Sequence, residues 1–232
     1  MKLIRTVRLR HAAPALFLLA AALTGCVSTR DSAAQAIFDG KTLNGWSQRA
    51  GKATYAVEDG CIVGTTTGDS ANSFLCTTKD YSNFVLSLEI KADEGLNSGV
   101  QVRSHCYDYR TNFVANGKTN TIPAGRVHGY QIEVDHRPER RWSGGLYEEG
   151  RRGWLYSPTN NPAGQAAYKF GEWNQYRIEC VGDSIKTWVN GVPVTDEKDS
   201  DSASGFIGLQ VHGGSKAGLQ VRFRNIMLSE KK

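Results

Sequence analysis

No segment of this chain sustains a helical period, and no apolar run reaches the ~20 residues that crossing a bilayer as a helix requires. Also missing are a Cys-x-x-Cys pair, any Cys/His cluster, a Gly-rich phosphate loop, a serine nucleophile elbow and a His-Glu-x-x-His helix. Their absence removes zinc-ribbon, dithiol-redox, nucleotide-binding and zinc-protease readings. Net charge is scarce once the N-terminus is set aside. Residues 1–25 hold four of the 28 basic residues and no acidic ones, so the formal charge falls from +5 to +1 without them. A near-neutral remainder gives no electrostatic case for nucleic acid or another polyanion as partner.

What is present begins with an export signal. Lys2, Arg5, Arg8 and Arg10 precede the apolar stretch Ala12 to Leu23, which ends in the lipobox Leu23-Thr24-Gly25-Cys26. Residues 1–25 are therefore expected to be a lipoprotein signal peptide and Cys26 the lipidated residue. The small, polar residues 26–36 are expected to be a flexible tether, and 37–232 a single domain. The expected location is the cell envelope, by lipid anchor, with Val27 compatible with delivery to an outer membrane facing the periplasm or the cell surface. An oxidising compartment permits two disulfides among Cys61, Cys76, Cys106 and Cys180. All three pairings are open. Cys61 and Cys76, on successive strands, are the favoured pair.

From Ile37 the chain reads as short alternating or apolar segments divided by Gly, Asn, Asp and Ser. The predicted strands are Tyr55–Glu58, Cys61–Thr65, Phe74–Thr77, Phe84–Ala92, Gly99–Ser104, Gly129–Asp135, Asn174–Val181, Ser184–Val189, Phe206–His212 and Gln220–Ser229. Asp59-Gly60, Gly182-Asp183 and Asn190-Gly191 supply tight hairpin turns. About ten strands must curl into two packed layers, which predicts an all-β jelly-roll sandwich of two antiparallel sheets. His105–His128 and His136–Gly171 read as long aromatic loops walling a functional surface. Trp46, Trp173 and Trp188 read as core anchors, and Arg140-Arg141 and Arg151-Arg152 as solvated loop charges.

Sorting strand residues by a period of two separates an oily face from a polar one. Phe84, Leu86, Leu88 and Ile90 alternate with Ser87, Glu89 and Lys91; Val100 and Val102 with Gln101 and Arg103. Tyr130, Ile132 and Val134 alternate with Gln131, Glu133 and Asp135, and Ile207, Leu209 and Val211 with Gln210 and His212. An ordinary solvated face would be dominated by Lys, Glu and Thr. This set of amides, carboxylates, a guanidinium and an imidazole, with Gly99, Gly208 and Gly213 leaving room for a ligand, suits a sugar held on a concave surface.

Seven separated segments then resemble, in order, one family. They are Phe38-Asp39-Gly40-Lys41-Thr42-Leu43-Asn44-Gly45-Trp46, Asn97-Ser98-Gly99-Val100 with Arg103, Gly129 to Asp135, Gly171-Glu172-Trp173-Asn174, Trp188-Val189-Asn190-Gly191, Ile207 to Gly214 and Phe223-Arg224-Asn225-Ile226. The chain resembles the 3-keto-disaccharide hydrolase family from Ile37 to Glu230. The resemblance implies a concanavalin A-like or laminin-G-like jelly roll acting on glycosides already oxidised at C3, often beside a partner sugar oxidoreductase.

A C3 ketone acidifies the C2 proton, so a base can form an enolate that expels the C1 substituent; adding water completes a net hydrolysis. The expected catalytic residues are Glu133 or His212 as base and Arg103 steadying the oxyanion. Asn97, Gln101, Gln131, Asp135, Gln210 and Tyr147 are expected to orient the carbohydrate substrate. Glu133, Asp135 and His212 could instead meet around a divalent cation. Glu133-Val134-Asp135 also begins the Glu-x-Asp-x-x-Glu motif of laminarinase- and lichenase-type glycanases, but Pro138 stands where the second glutamate belongs, which argues against that mechanism. The alternative from another class is a non-catalytic carbohydrate-binding module.

Overall fold

The computed structural model describes residues 32–232, so the signal peptide and Cys26 lie outside the described residues. The chain runs through β1 (Gln35–Ala36), β2 (Trp46–Arg49), β3 (Thr54–Glu58), β4 (Cys61–Thr65), β5 (Ser73–Thr77) and β6 (Phe84–Ala92). It continues through β7 (Ser98–His105), β8 (Thr111–Ala115), β9 (Lys118–Ile122), β10 (His128–Val134), β11 (Leu146–Glu149) and β12 (Gly153–Tyr156). A 3-10 turn (Pro158–Asn160) and the short helix α1 (Pro162–Ala167) precede β13 (Asn174–Val181), β14 (Ser184–Val189), β15 (Val192–Lys198), β16 (Phe206–Val211) and β17 (Gln220–Glu230). Among the described residues, no helix is long and apolar enough to cross a membrane.

Two antiparallel sheets form the sandwich. One has the order β15-β14-β13-β6-β17-β4-β3, with β1 also paired to β17; the other has the order β12-β11-β10-β7-β16-β5-β2. Strands β8 and β9 form a separate hairpin. The oily faces meet in one core, to which Phe84, Leu86, Leu88 and Ile90 of the first sheet and Val100, Val102, Tyr130, Ile132, Leu209 and Val211 of the second contribute. Each such aliphatic or aromatic side chain, at most 1% exposed, stabilises the fold by ~1.5–3 kcal/mol. Asp59-Gly60 and Asn190-Gly191 turn their hairpins with both residues at positive φ (49° and 74°; 50° and 80°), the type I′ geometry that matches strand twist.

Several expectations are corrected here. Residues 32–36 are not free tether: β1 pairs Gln35 with Leu228, and Ser32 bonds Glu230 through both backbone and side chain. Cys61 and Cys76 do not pair, because successive strands β4 and β5 belong to opposite sheets and all four described cysteines are free thiols. The segment His136–Gly171 is not a loop throughout, since β11 and β12 inside it extend the second sheet. Trp46 is a core anchor, whereas Trp173 and Trp188 lie half-buried beneath the guanidinium groups of Arg224 (3.9 Å) and Arg177 (4.4 Å). Arg151 and Arg152 are not solvated either; they pair with Glu148, Asp199 and Asp201.

Of the four polar-faced strands, β10, β7 and β16 are neighbours in one sheet, so their alternating residues do share a surface. Strand β6 lies in the other sheet, which puts Glu89 and Lys91 on the opposite side of the sandwich.

Candidate functional site

The surface shared by β11, β10, β7 and β16 is the floor of a cavity of ≈ 680 Å³, well within the range for small-molecule sites. Glu133 occupies the floor and is 4% exposed. Asn97 Nδ2 donates to its Oε1 at 2.5 Å and Gln131 Nε2 donates to its Oε2 at 3.1 Å. Behind Gln131, Gln101 Nε2 donates to Gln131 Oε1 (2.5 Å), and Ser104 Oγ donates to Gln101 Oε1 (2.7 Å). The result is one directed chain, Ser104 to Gln101 to Gln131 to Glu133, with every N–H or O–H aimed toward the carboxylate. Burial pushes the Glu133 carboxyl up to about 7 against those two donors, and the nearby Asp135 and Glu149 charges push the same way.

The cavity also presents groups from elements that sequence patterning left as loops. Tyr147 and Glu149 on β11 face it, with Tyr147 opposite Gln131 in the ladder. Trp154 packs edge-on to Tyr147 at 5.3 Å, and Arg140 lies 4.5 Å above the Trp142 ring. Burial raises the Glu149 carboxyl, opposed by Arg126, His212 and Asn72; Arg126 Nη2 is 2.5 Å from Glu149 Oε1. His212 lines the same wall. Its Nδ1 must donate to Gly213 O (2.6 Å), which leaves Nε2 as the basic nitrogen of the neutral ring. Gln210 is fully buried, and neither side-chain polar atom has a protein partner although the residue lines the cavity. Two orphaned amide atoms here are what a hydroxyl-rich ligand would satisfy.

The structure thus brings together Glu133, His212, Asn97, Gln131, Gln210 and Tyr147, and it moves three sequence candidates elsewhere. Arg103 is not in the cavity. Between Val102, opposite Tyr130, and His105, opposite His128, two β7 residues face one on β10; at this bulge Arg103 takes φ 48° and turns away. Its guanidinium donates to Ser82 O, Gly182 O and Asn83 Oδ1, clamping the strand ends. Gln101 lies beneath the floor and acts on Gln131, not on a ligand. Asp135 directs both oxygens to Arg137 (2.8 and 2.5 Å), with Arg140 3.6 Å away. Burial raises its carboxyl, but the Arg137 hydrogen bonds and charge outweigh that and hold it below the ordinary range.

Glu133, Asp135 and His212 therefore do not form one ligand set, and among the described residues no three His, Cys, Asp or Glu side chains converge as a metal site. Gly99 leaves no ligand space either: a Cβ there would lie 2.6 Å from the Gln131 side chain, so this glycine makes room for the floor itself. Asn72, Arg126, Arg137, Arg140, Glu149 and Trp154 were missed. Only the Leu146/Tyr147/Glu148/Glu149 alternation carried a signal, and four residues are too few to establish a period.

Arg137, Arg140 and Arg126 supply the positive groups that Arg103 does not. Arg137 is also close enough to Glu133 for that charge to help hold it protonated. The floor therefore combines a carboxyl titrating near neutrality, an imidazole with a free nitrogen, cations and unpaired amides. Such a set can remove a proton from carbon next to a carbonyl and stabilise the resulting oxyanion.

Comparison with known proteins gives the family and the fold. A curated 3-keto-disaccharide hydrolase of Bacteroides thetaiotaomicron is 27% identical over 235 residues, covering 82% of this chain and 76% of its own. Two solved structures share the fold. One, a Bacillus subtilis protein with a galectin-like fold, has a TM-score of 0.62 at 11% identity and covers 88% of this chain and 99% of its own. The other, the Bacillus subtilis carbohydrate-binding module CBM66, has a TM-score of 0.54 at 18% identity and covers 80% and 96%. With residues 33–229 matching throughout, the chain belongs to the 3-keto-alpha-glucoside-1,2-lyase-like domain family.

Proposed function

We propose that this protein cleaves 3-keto-glycosides by elimination across C1–C2, with hydration completing a net hydrolysis. The observation that carries the reading is Glu133, a buried carboxyl on the cavity floor, pushed to about 7 and aimed by two amide donors. Glu133 takes the C2 proton, and the C2–H electron pair becomes the enolate delocalised onto the C3 oxygen. Arg137, held rigid by Asp135, is the nearest candidate to balance that negative charge. The enolate then re-forms the ketone as a C1–C2 double bond, and the C1–O bond breaks with its electrons leaving on the aglycone oxygen. His212, when Nε2 carries a proton, is the candidate to give it to that oxygen; the neutral ring then takes a proton from the water that adds at C1, and Glu133 returns its proton to C2. The family description, a 1,2-lyase on a 3-keto glucoside, supports the same bond being broken.

An oxidoreductase that converts the C3 hydroxyl to a ketone must act first. The lipobox supports a cell-envelope location for enzyme and substrate under this reading.

The test is sugar release from matched methyl glucoside and 3-keto methyl glucoside, with and without chelator, using protein from Ser28 onward. Turnover of the keto substrate alone, slowed by deuterium at C2, is the expected result. Sugar binding with no turnover of either substrate would replace this reading with the carbohydrate-binding module, and loss of turnover with chelator would add a divalent cation.

A further inference from the structure

A second cavity, of ≈ 520 Å³, opens beside the first and shares Gly95 and Arg137 with it. Its wall is built of rings. His136 stacks on Tyr168 (5.4 Å between centroids, planes 10° apart), and Phe170 lies 5.2 Å from His136. Phe170 is 53% exposed, one of three large hydrophobics more than half exposed among the described residues. Neither ring nitrogen of His136 has a partner. Gln165, one of the few amides in the lining, is turned to Arg140 O. The other hollow adjoining the floor, behind Gly213, has no volume for a group.

We propose that this second cavity receives the C1 substituent of the substrate, and that the substituent is a planar aromatic aglycone. The inference rests on the elimination reading above. With the sugar's C2–H over Glu133, C1 is one bond away, and the adjoining cavity across Gly95 and Arg137 is open to the group that C1 carries. Across the Arg137 divide, that space is lined by His136, Tyr168 and Phe170 with Glu94 and Arg141, where the first sets several amides and carboxyls beside Tyr147 and Trp154. A second sugar would bring hydroxyls around its whole edge, and on the side of His136, Tyr168 and Phe170 the rings supply no exposed partner, leaving Glu94, Arg137 and Arg141 as the polar lining. An aryl ring needs only apolar area and a flat neighbour.

The experiment compares Phe170→Ser with wild type on the 3-keto derivatives of phenyl glucoside, methyl glucoside and a disaccharide. The quantity read is the variant-to-wild-type ratio of kcat/KM for each, in which the differing leaving-group abilities cancel. The expected result is a loss of about tenfold on the phenyl substrate and less than twofold on the other two. Equal loss on all three, no loss on phenyl, or a loss confined to the disaccharide overturns the proposal. Titration calorimetry with unoxidised phenyl and methyl glucosides separates this question from the chemistry. If no keto substrate is turned over, the elimination reading fails. Tighter binding of phenyl than methyl glucoside, abolished by Phe170→Ser, would still place the aryl group in this cavity, and equal binding would remove it.

Discussion

Replacing Glu133 with Gln should make the protein relatively more stable in alkali than in acid, because ionised Glu133 is held at a cost. Moving a carboxyl from its ordinary 4.5 to about 7 corresponds to ~3 kcal/mol against the ionised form. Between those values the folded chain keeps a proton that the unfolded chain has released. Stability from this group therefore falls as pH rises through the window and bottoms out above about 7. Glutamine never ionises and escapes the loss. It does forfeit one hydrogen bond, since Asn97 and Gln131 both donate and its amide accepts only one, an offset of ~1 kcal/mol that is the same at every pH. The unfolding free energy of the variant minus that of wild type should thus climb by ~3 kcal/mol between about pH 4 and pH 9. Urea titrations followed by tryptophan fluorescence read this difference directly. Parallel pH profiles for the two proteins would refute both the burial argument and the base assignment.

The remaining predictions concern the neighbours. Wild-type kcat/KM on a keto-glycoside should fall as pH drops below about 7, tracking protonation of Glu133, and a profile flat through that range would move the base elsewhere. Arg103→Ala should destabilise the fold, at ~1–3 kcal/mol for each buried acceptor left unpaired, while leaving kcat/KM per folded molecule unchanged; a catalytic loss in folded protein would return Arg103 to the site. His212→Ala, at a half-buried wall position, should keep the wild-type melting temperature and lower turnover about 100-fold. Asp135→Asn frees one side of Arg137 and should lower kcat/KM about tenfold, with the pH midpoint of activity moved down, because the Asp135 charge that helps raise the Glu133 carboxyl is gone.

The alternation of the long strands made the sandwich legible. Phe84 to Ala92, Asn174 to Val181 and Ser184 to Val189 begin and end where their patterns do, because nine-, eight- and six-residue runs against one core leave little freedom of register. Strands β2, β11, β12 and β15 were not legible; they are edge or near-edge strands, where one side of each is less constrained by burial. The polar floor was readable from the same alternation, but sheet membership was not, so Glu89 was grouped with Glu133. Arg103 shows the limit most clearly. A single bulge reverses the face of every residue after it, and nothing in Val102-Arg103-Ser104 announces a left-handed arginine. Glu149 escaped because its strand is four residues long and its neighbour Glu148 points to the opposite face, into the Arg152 and Arg151 pairs.

The amide chain beneath the cavity has a polarity, and that polarity can be reversed as a unit. While Glu133 is ionised, each link donates toward it. Once it is protonated, its own hydroxyl can donate to a rotated Gln131, which then presents its amino group to a rotated Gln101 and so on to Ser104. The far end is not stranded by this reversal, because Val102 O and Tyr130 O both stand 3.1 Å from Ser104 Oγ and can accept its hydrogen bond. The four residues can therefore stay paired in either direction, and the direction can follow whether Glu133 carries a proton. A change as remote from the ligand as Ser104→Ala removes the terminus of that chain, and so acts on the protonation of a carboxyl it never touches.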